Sequence, residues 1–239
     1  MITPADRTRQ FLVYLSFLPC ASTMLLAPQA ASQRTPQALN ARDLYAEKID
    51  PPPGLKSRIL LRELSGGYRP VRMGSVFQTN DRIRLEFESN TFGYLYVLQQ
   101  GSDSSWDVLF PSAEIRDNNN RLEPIHPVQL PRQEDFVFDH NPGQEKLYAV
   151  LSLNREPDLE RLLNLVRAQR SKTTQPDDAL PPLFKTISSK VSVDLASRNL
   201  KVYQNGPDDT PEAQNAVYAV NARPHDGRVI SELVLNHRR

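Results

Sequence analysis

The chain has 239 residues, of which 39% are apolar, with 29 Lys and Arg against 28 Asp and Glu. That length suits one large all-β domain or two small ones, and the near-zero charge lacks the cationic excess with which a nucleic-acid binder meets phosphates. The only cysteine, Cys20, leaves no internal disulfide and no cysteine-built metal site.

Arg7 and Arg9 precede an uncharged run, Phe11 to Leu26, which is interrupted at Pro19 and leads to small residues at Ala30 and Ser32. This is the pattern of a signal peptide, so residues 1–32 are expected to be removed and the protein exported to the periplasm, cell envelope or medium. A retained membrane anchor is the alternative, although a core run of about 16 residues is short for a span of about 20. Pro19 stands where a lipidated cysteine would have a small neighbour, which argues against lipid on Cys20. Without the leader the charge is balanced, 27 cations to 27 acids, and no cysteine remains.

Residues 33–56 form a polar lead-in with a short helical candidate at Arg42 to Lys48 and a stiff IDPPPG connector. Period-2 alternation starts near Ser57 with Ile59 and Leu61. It is fullest in RIRLEFE, where Ile83, Leu85 and Phe87 point one way and Arg82, Arg84, Glu86 and Glu88 the other. FGYLYVL differs: Tyr94, Tyr96 and Leu98 share one face and Leu95 and Val97 the other, which predicts a strand covered on both sides. A turn at Gly101 to Ser105, followed by Trp106, returns the chain into VLFP as the second arm of a central hairpin.

A turn-rich loop, Glu114 to Pro124, precedes strand candidates at His126 to Pro131, Asp135 to Asp139 and Glu145 to Ser152. REPDLERLLNLVRAQR then shows helical spacing in Leu159, Leu162, Leu163 and Val166, with Pro157 suited to the first turn and Arg167 and Arg170 closing. Residues 171–189 read as a flexible loop. VSVDL, LKVY, AVYAV and VISELVL, within 190–239, read as strands that complete the sheet or form a small β extension. The expected fold is mainly β, an antiparallel sandwich of about eight to ten strands over 57–170 and beyond, with one amphipathic helix packed on it.

Five short motifs follow in order: Asn80-Asp81, Gly93 to Val97, Leu109 to Pro111, Leu130-Pro131 and Pro142 to Glu145. In these the chain, over about Arg72 to Ser152, resembles the domain of unknown function family 4384. Asn80 replaces the usual glycine, and both residues tolerate a left-handed turn. The resemblance implies a β-sandwich module of exported or envelope-associated bacterial proteins and brings no catalytic residues.

A hydrolase would draw on Ser104 or Ser105, His126 or His140, and Asp135 or Asp139, yet no serine sits in a nucleophile elbow. The four histidines show no paired metal-ligand spacing, and Asp117, Asn119 and Glu123 lack the central glycine and closing acid of a calcium loop. No glycine-rich phosphate loop joins a strand to a helix, so neither a metal nor a cofactor is expected. Tyr94, Tyr96, Trp106 and Phe110 are the candidate binding residues, an aromatic face with Trp106 on an exposed turn, against the alternative that they are core. The functional expectation is a non-enzymatic binding module of the cell envelope with a protein or envelope-polymer partner, no nucleic acid, and membrane contact only if the leader is retained. A hydrolase using His126 or His140, or a purely structural domain of an envelope assembly, are the alternatives.

Overall fold

Alternating apolar residues dictate two sheets, and a computed structural model describes them over residues 51–112, 115, 119–171, 180–196, 200–204, 215–222 and 227–238. The expected leader, Cys20, Asp117 and most of the lead-in lie outside the described residues. The strands are β1 (Gly54–Arg62), β2 (Tyr68–Val71), β3 (Val76–Gln78), β4 (Arg82–Ser89), β5 (Gly93–Gln100), β6 (Trp106–Phe110) and β7 (Arg121–Leu122). They continue as β8 (Val128–Leu130), β9 (Phe136–Val137), β10 (Gly143–Ser152), β11 (Leu200–Gln204), β12 (Ala216–Asn221) and β13 (Arg228–Arg238). Two helices are described, α1 (Pro157–Ser171) and α2 (Leu180–Leu195).

Sheet A runs β11-β12-β1-β4-β8, with β2 on β1 and β9 on β4; sheet B runs β3-β13-β10-β5-β6, with β7 on β5. Pairing is antiparallel except where β3 joins β13 in parallel, Val76 opposite Asn236. Leu85 and Phe87 of β4, Leu95 and Val97 of β5 and Leu147, Ala149 and Leu151 of β10 fill the space between the sheets. The other face of sheet B, with Tyr96, Leu98, Tyr148, Val150 and Ile230, packs on Leu159, Leu162 and Leu163 of α1 and Ile187 and Val191 of α2. A third, helical layer therefore covers sheet B, which is why β5 has no polar face.

The family motifs have steric reasons. A Cβ on Gly93 would lie 2.7 Å from Leu151 Cδ1 and 2.8 Å from the Ser152 carbonyl oxygen, so only glycine lets β5 start this close to β10. A Cβ on Gly143 would meet Ser102 Cβ in the β5–β6 turn. Asn80 adopts φ 73°, the left-handed turn for which glycine or asparagine is suited. Phe110-Pro111 and Leu130-Pro131 are cis.

Several expectations need correction. VSVDL is the last turn of α2 and not a strand, and the part of 171–189 from Leu180 onward is helix and not loop. Its β-branched alternation mimics a strand, but Leu183, Phe184, Ile187, Val191 and Leu195 recur at helical spacing and all pack against the helix-side core, with Pro181 and Pro182 in the first turn. Two helices thus cover the sandwich where one was expected, and the described strands number thirteen, because short edge pieces such as β3, β7 and β9 are too brief to register as periodic. The first strand begins at Gly54, three residues inside the expected lead-in. Among the described residues, no helix is long and apolar enough to cross a membrane.

Candidate functional site

The polar face of β4 is largely occupied by its own neighbours. Arg58 on β1 lies opposite Glu86 and donates Nε to Glu86 Oε1 at 2.7 Å, while Gln129 on β8 donates to Glu86 Oε2 at 3.0 Å. Glu86 is only 8% exposed, so the face expected to be wet is partly sealed by these pairs. Farther along, Asp135 accepts hydrogen bonds from Tyr68 Oη at 2.5 Å, Arg84 Nε at 2.8 Å and Arg62 at 2.9 Å, with its side chain 2% exposed. Burial pushes its carboxyl up, but the Tyr68, Arg84 and Arg62 hydrogen bonds outweigh it and hold the group below the usual carboxylate range. The Arg84 guanidinium also lies 4.4 Å over the Tyr68 ring.

Beside this ladder opens a groove of about 510 Å³ lined by Glu86, Glu123, His126, Gln129 and Arg132. Its rim is the loop between β7 and β8, pinned by Ile125 N–H donating to Ser89 O at 2.7 Å and by a bridge between Ser89 and Pro124. That pinning places Ile125 at φ 59°. A β-branched residue in the left-handed region is strained, and here its side chain is also 72% exposed, gaining no burial in return. Phe92, in the adjoining β4–β5 turn, is 53% exposed with the Arg121 guanidinium 5.4 Å over its ring. Two exposed apolar side chains thus stand at one end of the sandwich, next to a polar groove.

The four aromatic candidates do not form one face. Phe110 is fully buried between the sheets, and Tyr96 is buried under α1, its hydroxyl donating to Glu160 at 2.6 Å. Tyr94 is half-buried with the Arg155 guanidinium 4.7 Å over its ring. Trp106 opens β6 instead of sitting on the turn, and stacks on Tyr148 with centroids 5.1 Å apart and planes 18° from parallel. Three of the four therefore belong to the layer between sheet B and the helices; even positions of β5 face that layer, and the bulge where β6 passes Val97 and Leu98 turns Phe110 to the face opposite Trp106 and Val108. The sequence reading missed Ile125 and Phe92, whose only signal was an apolar residue inside a Pro- and Asn-rich turn.

The hydrolase candidates are also dispersed. His126 rims the groove, its Nδ1 2.8 Å from Pro124 O, whereas Ser104 and Ser105 occupy the β5–β6 turn at the far end of an eight-residue strand, about 25 Å away. His140 and Asp139 lie toward that far end, but Asp139 accepts from Asn141 N and Nδ2 at 2.7 and 2.8 Å, and Ser105 donates to Asp103. The Asn141 bonds hold the Asp139 carboxyl below its ordinary range, and those from Ser105 do the same for Asp103. Asn119 Oδ1 accepts the Arg121 N–H at 3.2 Å, a turn role in the segment weighed as a calcium loop. Among the described residues no group of three or more His, Cys, Asp and Glu is placed to hold a metal ion.

Residues 76–155 match the model of the domain of unknown function DUF4384. The resemblance read from the five motifs is thereby borne out, over β3 to β10 and about a third of the chain. No curated protein and no solved structure matches the chain. The DUF4384 region contributes the groove, its rim loop and the β4–β5 turn, while β1, β2, both helices and β11 to β13 lie outside the match.

Proposed function

We propose that this chain is an exported, non-enzymatic binding module of the bacterial cell envelope that takes a protein or envelope-polymer partner at the end of the sandwich formed by the β4–β5 turn and the β7–β8 loop. The observation that carries the reading is Ile125: a strained β-branched residue, held by the backbone bond to Ser89, that presents its side chain to solvent beside the groove. Exposed Phe92, in the β4–β5 turn at the same end, adds a second apolar side chain, and Arg132, Glu123 and His126 supply polar groups along the groove. The cleavable leader read at residues 1–32 supports the location.

Photo-crosslinking tests this in cells. A photoreactive residue at position 92 should give a discrete adduct in the envelope fraction that weakens in the Ile125→Gly background, while the same residue at Leu64, in the exposed β1–β2 turn, should not. Equal labelling from positions 64 and 92 defeats the proposal. Purified protein should show no turnover of ester, peptide or phosphate substrates; turnover lost in the His126→Ala, His140→Ala double variant would favour the hydrolase.

A further inference from the structure

At the opposite end of the sandwich the two sheets separate around a cavity of about 240 Å³. Ile83, Phe136 and Phe138 wall it from one side and Leu109, Leu147 and Leu235 from the other. Alternation along the strands carries polar groups into it. On β5 the inward series Leu95, Val97 continues to Gln99, and on β10 the inward series Leu151, Ala149, Leu147 continues to Glu145, so an amide and a carboxylate stand at apolar positions.

Gln99 donates Nε2 to Glu145 Oε2 at 2.8 Å. Among the described residues this is the only partner of either side chain, which leaves Glu145 Oε1 and Gln99 Oε1 as acceptors in the cavity and Glu145 without a cation. Elsewhere on the sandwich Glu86, Glu88, Asp135, Glu156 and Glu232 each face Arg or Lys. Asp139 adds a second carboxylate to the lining, and no Lys or Arg belongs to it. A half-enclosed space walled by aromatic and aliphatic side chains, with a net negative charge at converging acceptors, suits a small ligand of the opposite charge that carries an apolar part.

We infer that the inter-sheet cavity at Glu145 and Gln99 is a second binding site, specific for a small organic ammonium compound with an apolar body of one ring or a short alkyl chain. The apolar part lies against Phe136, Phe138 and Leu147. The ammonium donates to Glu145 and to the Gln99 carbonyl, replacing the cation that the fold does not supply. The volume holds roughly ten to twelve heavy atoms, so the expected dissociation constant is about 1 mM or somewhat tighter.

Titration of the isotope-labelled protein with phenethylamine, followed by NMR, reads the site without any assay of function. Saturable shifts are expected at Gln99, Leu109, Val137 and Glu145, with 2-phenylethanol, equal in shape but neutral, binding at least about tenfold more weakly. Glu145→Gln keeps an acceptor for Gln99 and should lower phenethylamine affinity about tenfold while leaving 2-phenylethanol unchanged. Absence of saturable shifts on the wild-type protein, or equal affinity for the amine and the alcohol, overturns the inference, and both readings stand even if the variant fails to fold. Shifts confined to Phe92 and Ile125 would overturn it too, by placing the amine at the other end of the sandwich.

Discussion

Tyr96 and Glu160 join the middle of sheet B to the first turns of α1: the tyrosine hydroxyl donates to the glutamate at 2.6 Å and itself accepts the Glu156 N–H at 3.3 Å. Glu156 begins the helix, its carbonyl accepting from Glu160 N at 2.8 Å, and Ser152 at the end of β10 donates to its side chain at 2.9 Å. The sheet and helix layers are thus tied by polar bonds as well as by the apolar contacts of Leu98, Leu162 and Leu163.

Replacing Tyr96 with Phe should destabilise the protein by about 1–2 kcal/mol, because a partly buried glutamate acceptor and a backbone donor lose their shared partner. Tyr96→Ala adds a cavity beneath α1 and should cost about 2–4 kcal/mol. Burial first, and the Glu160 bond second, push the Tyr96 hydroxyl well above its ordinary value near 10. Its contribution is therefore complete below pH 10 and is lost as pH rises above that value, since the unfolded chain ionises first. Urea midpoints measured at increasing pH should fall less steeply for Tyr96→Phe than for wild type.

Asp135 gathers Arg62, Arg84 and Tyr68 from three strands. Asp135→Asn should cost about 1–3 kcal/mol, since the two guanidinium groups lose their common carboxylate. With its pKa held low in the folded protein, Asp135 contributes stability that is present above its unfolded value near 4 and is lost as pH falls through the lower folded value. Acid titration of stability should consequently be shallower in the variant. Identical acid limbs would mean that the cluster is not formed in solution.

Which parts of this architecture could be read in the sequence follows from their physics. Ile83, Leu85 and Phe87 declare β4 because one of its faces meets a core and the other meets charged partners, and α1 declares itself by the spacing of Leu159, Leu162, Leu163 and Val166. VSVDL misleads because Val191 and Val193 alternate with polar residues as in a strand, yet Val191 is buried under the helix layer and Val193 is 70% exposed. Trp106 misleads because its neighbours are turn residues while its partner, Tyr148, comes from β10, more than forty positions away. Glu145 was visible only as part of a motif; that it faces inward depends on the register of β10 against β5, which composition does not encode. The strain at Ile125 arises from a tertiary bond to Ser89 and has no sequence signature at all.

Ile125→Gly should relieve that strain and stabilise the fold by about 1 kcal/mol, the reverse of what removing an apolar side chain does in a core. Thermal denaturation measures it directly. A loss of stability would show that the side chain packs against something and would remove the premise of the proposed binding surface.

Gly93→Ala should destabilise by about 1–3 kcal/mol, because the new methyl group meets the backbone carbonyl of Ser152, which cannot move without opening the β5–β10 ladder. Gly67→Ala, where the nearest atoms to the added Cβ are side-chain oxygens of Ser65 and Glu63 at 3.8 and 3.9 Å, is the matching control and should change little. Equal urea midpoints for the two variants would contradict the close approach at Gly93.

The DUF4384 match ends at residue 155, but the sandwich does not. β13 inserts between β3 and β10, pairing with β10 along ten residues from Gly143–His237 to Ser152–Arg228, and β1 pairs with β4 along seven from Leu55–Ser89 to Leu61–Ile83. A fragment of residues 76–155 would expose both edges and uncover Leu147, Ala149 and Leu151, whose neighbours Val229, Leu233 and Leu235 come from β13. It should therefore remain unfolded or aggregate, whereas residues 51–239 should unfold in a single transition. Circular dichroism and amide NMR dispersion of the two fragments distinguish these outcomes, and a well-dispersed spectrum from 76–155 alone would show that the matched segment is an independent folding unit that β1 and β13 merely extend.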